Sequence, residues 1–171
     1  SQRKKSALGY EGRQTDPFAV IKKIRVFFEL IKFEHTVFAL PFAYLGMVLA
    51  EKEMPSGRLF FLVTAAMAGA RTAGMMLNRI VDRGIDRQNP RTRNRPILTG
   101  EFSLTAALVS VALALAVFFL AAYALNPLCF RLSFVAIIFL LGYHFVKRFS
   151  FLCHFALGMV LGIAPMGGWL A

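Results

Sequence analysis

The sequence predicts an all-α, polytopic membrane protein built as a helix bundle, and three observations support this class. Of its 171 residues, 57% are hydrophobic, with a mean hydropathy of +0.60, whereas soluble domains carry about 45–50% apolar residues. The apolar residues form runs near the length that crosses a bilayer, about 20 residues per helix. Most Lys and Arg residues flank these runs. The net charge of +11 is therefore attributed to topology and anionic headgroups, and no nucleic-acid partner is expected.

Five apolar runs predict five transmembrane helices, at 24–50, 59–77, 104–125, 128–146 and 149–171. The first run is interrupted by four polar residues, Glu29, Lys32, Glu34 and His35. The second run carries one charged residue, Arg71, and the third carries none. The chain ends within the fifth apolar run, so we expect these helices to be part of a larger bundle.

The distribution of Lys and Arg predicts the orientation in the membrane. Fifteen of them lie before or at the start of the first run, in the connection 78–100 and after the fourth run, against three in the opposite loops. Cytoplasmic loops are enriched in Lys and Arg. We therefore expect segment 1–23 to be a basic cytoplasmic tail and segment 78–100 to be a cytoplasmic loop.

Three polar residues, Asn78, Asp82 and Asp86, continue the second helix past its apolar part at four-residue spacing. Each step of four residues advances a helix by about 40°, so the three side chains form one ridge. Amide and carboxylate oxygens suit a hard cation such as Mg²⁺, which fills its other positions with water and phosphate oxygens. An interpretation that the spacing supports equally makes Asp82 and Asp86 counter-ions of neighbouring arginines.

Arginines crowd the same connection. Segment 78–100 holds six, namely Arg79, Arg83, Arg87, Arg91, Arg93 and Arg95. A guanidinium forms paired hydrogen bonds with phosphate oxygens, so carboxylates and arginines at one membrane edge predict a site for a metal-bound diphosphate. The alternative is a loop whose arginines face lipid headgroups.

The segment RTAGMMLNRIVDRGIDRQNPRTRNRPILTG, residues 71–100, resembles the signature of the UbiA family of intramembrane aromatic prenyltransferases. The residues that match the signature are Asn78, Asp82, Asp86, Arg91, Thr92, Asn94, Arg95, Pro96 and Gly100. Arg79 departs from it, since the family often has Asp there. Arg79 either touches the diphosphate directly or faces away, because it lies about 100° from the ridge.

Two further segments resemble the family, in the same order along the chain. IKFEHTVFALPFAYLG, residues 31–46, resembles the family's first helix, and YHFVKRFSFLCHFALG, residues 143–158, resembles its Tyr-x-x-x-Lys segment. Family members continue to a second Asp-rich motif. Residues 24–171 are therefore expected to be the N-terminal part of a transmembrane prenyltransferase domain, incomplete as an enzyme on its own.

The resemblance implies a reaction, the transfer of a polyprenyl group from polyprenyl diphosphate to a small aromatic acid at the bacterial inner membrane. The favoured acceptor is 4-hydroxybenzoate, in quinone biosynthesis, and a dihydroxynaphthoate for menaquinone is the alternative. Two other classes stay open, a transporter segment and a non-catalytic membrane scaffold. The sequence does not fix the oligomeric state.

The resemblance also implies residue roles. The catalytic Mg²⁺ ligands would be Asp82, Asp86 and Asn78. The substrate-binding residues would be Arg71, Arg91, Arg95, Lys32, Glu34, His35, Tyr143 and Lys147. Among these, Arg91 and Arg95 are expected at the diphosphate and Lys32 at the acceptor carboxylate. Arg71 is expected to face a substrate, because a cation inside a membrane needs a partner or a cavity. Interfacial anchoring stays the alternative for Lys32 and Lys147.

Overall fold

A computed structural model describes residues 19–51, 54–149 and 153–171, and these ranges are almost entirely helical. The described helices are α1 (Ala19–Ile31), α2 (Phe33–Glu51), α3 (Gly57–Val81), α4 (Arg83–Gln88), α5 (Pro96–Thr99), α6 (Leu104–Leu125), α7 (Pro127–Phe149) and α8 (Cys153–Leu170). The predicted all-α class is confirmed. Residues 1–18, most of the expected tail 1–23, lie outside the described residues.

Serine side chains mark where two of the apolar helices begin. Ser56 Oγ accepts a hydrogen bond from the backbone N of Leu59 at 3.2 Å, and Ser103 Oγ accepts one from the backbone N of Ala106 at 3.1 Å. Both serines have an extended backbone, the conformation of a helix N-cap. As a result α3 and α6 begin within two residues of the positions expected from the apolar runs.

The length and apolar composition of α3 and α6 allow each of them to cross a membrane. A third candidate span combines Ile24–Ile31 with Thr36–Glu51, bent by 57°. Among the described residues, the apolar parts of the last two helices, Pro127–Tyr143 and Leu161–Leu170, are shorter. The protein is thus an integral membrane helix bundle with two or three candidate spans in its described part, and five spans remain a prediction.

The first apolar run is divided rather than continuous. The sequence predicts one helix over 24–50, whereas α1 ends at Ile31 and α2 begins at Phe33. Between them, Lys32 has a φ of 50°, in the left-handed region that interrupts an α-helix. Its backbone N donates to the Glu29 carbonyl O at 3.3 Å, a three-residue closure typical of a helix end. The break places polar residues of this run at a helix terminus.

A buried apolar cluster joins the elements around this break. Its buried members come from α1, α3, α5 and α6, and are Val26, Leu30, Ile31, Met76, Ile97, Ala107 and Val111. Leu30 and Met76 are almost fully buried. Because Lys32, Arg79 and Arg95 each lie within three residues of a cluster member in sequence, the cluster fixes the positions of three basic segments relative to one another.

Glycines allow close contact between α2 and α8. A Cβ atom at Gly168 would overlap the carbonyl oxygen of Ala43, and one at Gly46 would overlap that of Pro165. Membrane helices approach closely where small residues face each other. The packing of α8 onto α2 therefore depends on the absence of a side chain at both positions.

We predict that Gly168→Ala separates α2 from α8 and destabilises the protein by about 1–3 kcal/mol, the usual cost of overpacking. Thermal unfolding of the protein in detergent would measure the loss. Gly167→Ala is the matched control, because a Cβ at Gly167 meets no described atom within 4 Å. Equal melting temperatures for the two variants would contradict this packing.

Candidate functional site

A cavity of about 440 Å³ opens where the ends of α1 and α3 meet segment 89–96. Its charged lining consists of four cations and one carboxylate, namely Lys32, Arg79, Arg91, Arg95 and Glu29. Among the described residues, this lining therefore carries an excess of three positive charges. Asn89, Thr92 and Asn94 add polar groups. A concave site of this composition favours an anion with several charges, such as a phosphorylated group.

Segment 89–96 is folded by its own hydrogen bonds. The Asn89 side-chain Oδ1 accepts from the backbone N of Arg91 at 3.0 Å, and the Asn89 carbonyl O accepts from the backbone N of Thr92, also at 3.0 Å. Arg95 has an extended backbone and precedes Pro96, which opens α5. The polar and proline residues of this stretch thus have a structural role, which is to turn the chain so that Arg91 and Arg95 face the cavity.

An ion pair connects this segment to α4. Arg95 Nη1 donates to Asp86 Oδ2, and the two side chains are 26% and 10% exposed, respectively. The Thr92 hydroxyl donates to the Asp86 carbonyl O at 3.0 Å. Asp86 therefore anchors the segment through both its side chain and its backbone.

Asn78, Asp82 and Asp86 keep helical register across the junction of α3 and α4. The backbone N of Asp82 donates to Asn78 O at 3.0 Å, and that of Asp86 donates to Asp82 O at 2.8 Å. Asp82 itself has a φ of −80° and a ψ of 0°, which marks the change from one helix to the next. None of the three lines the described cavity wall, and the connection to it runs through the Asp86–Arg95 pair.

The oxygen donors present fit a magnesium ion whose ligands come partly from the protein and partly from a substrate. The described residues contain no group of three or more His, Cys, Asp or Glu that could form a complete metal site. Asp82 and Asp86 offer carboxylates and Asn78 an amide oxygen, and Mg²⁺ commonly takes only one or two protein carboxylates with water and phosphate oxygens. The role of these three residues as metal ligands remains a prediction.

Three other predicted substrate-binding residues are not part of the described cavity wall. Arg71 is half-buried on α3, Glu34 is exposed on α2 and Tyr143 is half-buried on α7. The side chains of His35 and Lys147 lie outside the described part of the structure. Of the eight predicted substrate-binding residues, the structure therefore brings together Lys32, Arg91 and Arg95.

Two charged residues of the cavity wall, Glu29 and Arg79, were not among the predicted site residues. Glu29 precedes Lys32 by three residues, about one helical turn, so its spacing gives a weak signal. For Arg79 the sequence left two possibilities open, contact with the diphosphate or a position facing away from it. In the structure Arg79 is only 6% exposed and lines the cavity.

An apolar groove of about 410 Å³ runs between α1, α3 and α6. Its lining residues are Phe27, Ala68, Gly69, Thr72, Ser110, Leu113, Ala114 and Val117. Gly69 lets the helices approach, since a Cβ there would lie 2.7 Å from the Ala114 carbonyl O. The groove offers an apolar surface for a hydrocarbon chain.

A helix bundle of membrane-spanning composition, with a strongly basic cavity at its helix ends and carboxylates beside it, defines a class of membrane protein suited to a phosphorylated substrate. Residues 39–171 match the sequence profile of the UbiA prenyltransferase family. The chain belongs to that family.

Individual relatives agree with this assignment. A 4-hydroxybenzoate octaprenyltransferase of Methylobacillus flagellatus is 37% identical over 123 residues, covering 71% of this chain and 41% of the relative. The apo structure of a UbiA homologue from Aeropyrum pernix K1 is 42% identical, with a TM-score of 0.74, over 79% of this chain and 49% of that one. The structure of a digeranylgeranylglyceryl phosphate synthase shares the fold at 21% identity, with a TM-score of 0.79, over 86% of this chain and 52% of that one. The chain thus spans about half the length of these proteins.

We predict that Asp86 and Arg95 are energetically coupled. A double-mutant cycle of Asp86→Ala and Arg95→Ala, read from unfolding in detergent, should give about 1–3 kcal/mol of coupling, because each single change leaves the other charge without its partner. The control cycle pairs Asp86→Ala with Arg93→Ala, since Arg93 is exposed and outside the cavity wall. Additive effects in the first cycle would show that the ion pair is not formed.

Proposed function

We propose that this protein transfers a polyprenyl group from polyprenyl diphosphate to a small aromatic acid. One observation carries the proposal: four cations converge on a cavity at the ends of apolar helices in a chain of the UbiA prenyltransferase family. The cavity has the charge to hold a diphosphate, and the apolar groove between α1, α3 and α6 has the surface to accept the attached chain. A transporter path would instead distribute charged groups along several helices.

The proposed reaction assigns a task to each group. The bond between the allylic carbon and the diphosphate oxygen breaks, and the oxygen leaves with the electron pair. Arg91 and Arg95 stabilise the charge that develops on this leaving group. Mg²⁺ held by Asp82, Asp86 and Asn78 would supply further neutralisation of the same charge. A ring carbon of the acceptor then bonds to the allylic carbon, and the ring loses a proton.

The acceptor we favour is 4-hydroxybenzoate. The relative from Methylobacillus flagellatus carries that acceptor in its name. In this chain, Lys32 lies at the break between α1 and α2 and lines the cavity, where its ammonium could pair with the acceptor carboxylate. Glu34 is exposed and is not part of this arrangement. A dihydroxynaphthoate presents the same carboxylate, so the acceptor has to be decided by measurement.

The proposed orientation places the cavity on the cytoplasmic side of a bacterial inner membrane. It follows from the fifteen Lys and Arg residues on one side against three on the other. The aromatic acid and Mg²⁺ would then reach the cavity from the cytoplasm, while the polyprenyl chain would remain in the bilayer.

We predict that Asp82→Asn and Asp86→Asn each reduce prenyl transfer by about 100-fold or more, because a carboxamide is a poor substitute for a charged metal ligand. Membranes containing the full-length protein would receive labelled polyprenyl diphosphate, Mg²⁺ and either 4-hydroxybenzoate or a dihydroxynaphthoate. EDTA should abolish the product.

The control for this assay is Glu101→Gln, an exposed carboxylate at the end of the same connection. It should retain activity within about twofold, as expected for a surface charge away from the site. Product formation that survives both aspartate substitutions would rule out the magnesium site. Transfer to neither acceptor by the unaltered protein would count against the proposed function itself.

A further inference from the structure

We propose that Arg79 binds the diphosphate directly at the bottom of the cavity, and that Glu29 is the carboxylate with which this anion competes. The inference rests on the proposed function and adds two residues to it. Arg79 lies in the last turn of α3, and Glu29 lies near the end of α1, so the two line the cavity from different helices.

The burial of Arg79 is the first argument. Its side chain lines the cavity although the residue is only 6% exposed. Its Nε atom is buried and has no hydrogen-bond partner among the described residues. A buried guanidinium N–H without an acceptor is costly. An anion oxygen entering the cavity would supply the missing acceptor.

The charges around Arg79 are the second argument. Among the described residues, the ion pair of this site joins Asp86 to Arg95, and Arg79 is not part of it. Arg95 repels Arg79, while Asp86, Glu29 and Asp82 attract it. Within the described cavity wall, Arg79 lies together with three other cations, Lys32, Arg91 and Arg95, against one carboxylate, Glu29. Such an arrangement is unfavourable in the empty cavity and becomes favourable when a multiply charged anion is bound.

A purely structural role for Arg79 is the competing explanation. A cation in the last turn of a helix interacts favourably with the helix dipole, and this role needs no ligand. It predicts that removing the charge lowers stability and leaves anion binding unchanged. Direct binding predicts weaker anion binding, whatever the effect of the change on the stability of the empty protein.

Calorimetric titration of the full-length protein with inorganic diphosphate, in neutral-lipid nanodiscs and with Mg²⁺ present, would test the proposal. Arg79→Gln should weaken binding by about tenfold or more, and Arg79→Lys should recover part of the loss, since it restores the charge without the guanidinium fork. Glu29→Gln should tighten binding several-fold, because it removes the one carboxylate in the described cavity wall. The matched control is Arg87→Gln, an exposed arginine outside that wall, which should change binding by less than about twofold.

Three results would overturn the proposal. The first is that Arg79→Gln binds diphosphate like the unaltered protein. The second is that Arg79→Gln and Arg87→Gln lose affinity equally, as expected from net charge alone. The third is that Glu29→Gln weakens binding. Nanodiscs with anionic lipid distinguish a site for lipid headgroups from a site for diphosphate. If the site binds headgroups, Arg79→Gln would weaken the binding of anionic lipid and leave the binding of diphosphate unchanged. The titration contains no aromatic acceptor and measures binding alone. A lack of prenyl transfer in the separate activity assay would therefore refute the proposed function without affecting the binding result. If Arg79→Gln fails to fold, Arg79→Lys and Glu29→Gln still decide the outcome.

Discussion

The buried apolar cluster around Leu30, Met76 and Ile97 holds three basic segments together against the repulsion of their charges. Two like charges 4 Å apart near a protein surface repel by on the order of 4 kcal/mol. Burying one large apolar side chain contributes about 1.5–3 kcal/mol, so several members of the cluster are needed to hold the segments in place. The Asp86–Arg95 ion pair removes part of the repulsion. The positive charge that this ion pair does not neutralise is available to bind an anion. The packing of the helices is thereby connected to the chemistry of the site.

Two interruptions of helical structure lie at or near residues of the cavity wall. Lys32, with a φ of 50°, ends α1 and turns the chain into α2, while Asp82 separates α3 from α4. In membrane proteins, irregular backbone is tolerated where it is buried in protein or lines a cavity. The break at Lys32 fits this rule, because Lys32 lines the cavity. If the first helix were continuous, Lys32 would be part of its next helical turn rather than of a break.

The sequence was sufficient for the all-α membrane class, the approximate starts of α3 and α6 and the basic character of segment 78–100, because composition and apolar runs report on them directly. Residue types and motif positions also selected Lys32, Arg91 and Arg95, which the structure places in one cavity wall, while their roles remain predictions. The sequence did not reveal the break at Lys32, because the apolar pattern on either side is that of one helix. Glu29 was missed and the position of Arg79 was left open, because both depend on the relative placement of α1 and α3, which is a tertiary property.

Arg79, Arg91 and Arg95 are proposed to form one diphosphate site. A structure of the full-length protein bound to a polyprenyl thiodiphosphate analogue and Mg²⁺ tests this proposal most directly. The account predicts phosphate oxygens within hydrogen-bond distance, about 2.7–3.2 Å, of the guanidinium groups of Arg79 and Arg95. It also predicts that the hydrocarbon chain follows the groove beside Phe27. Phosphate density away from this cavity, with Arg79 still lacking an acceptor at Nε, would contradict the account.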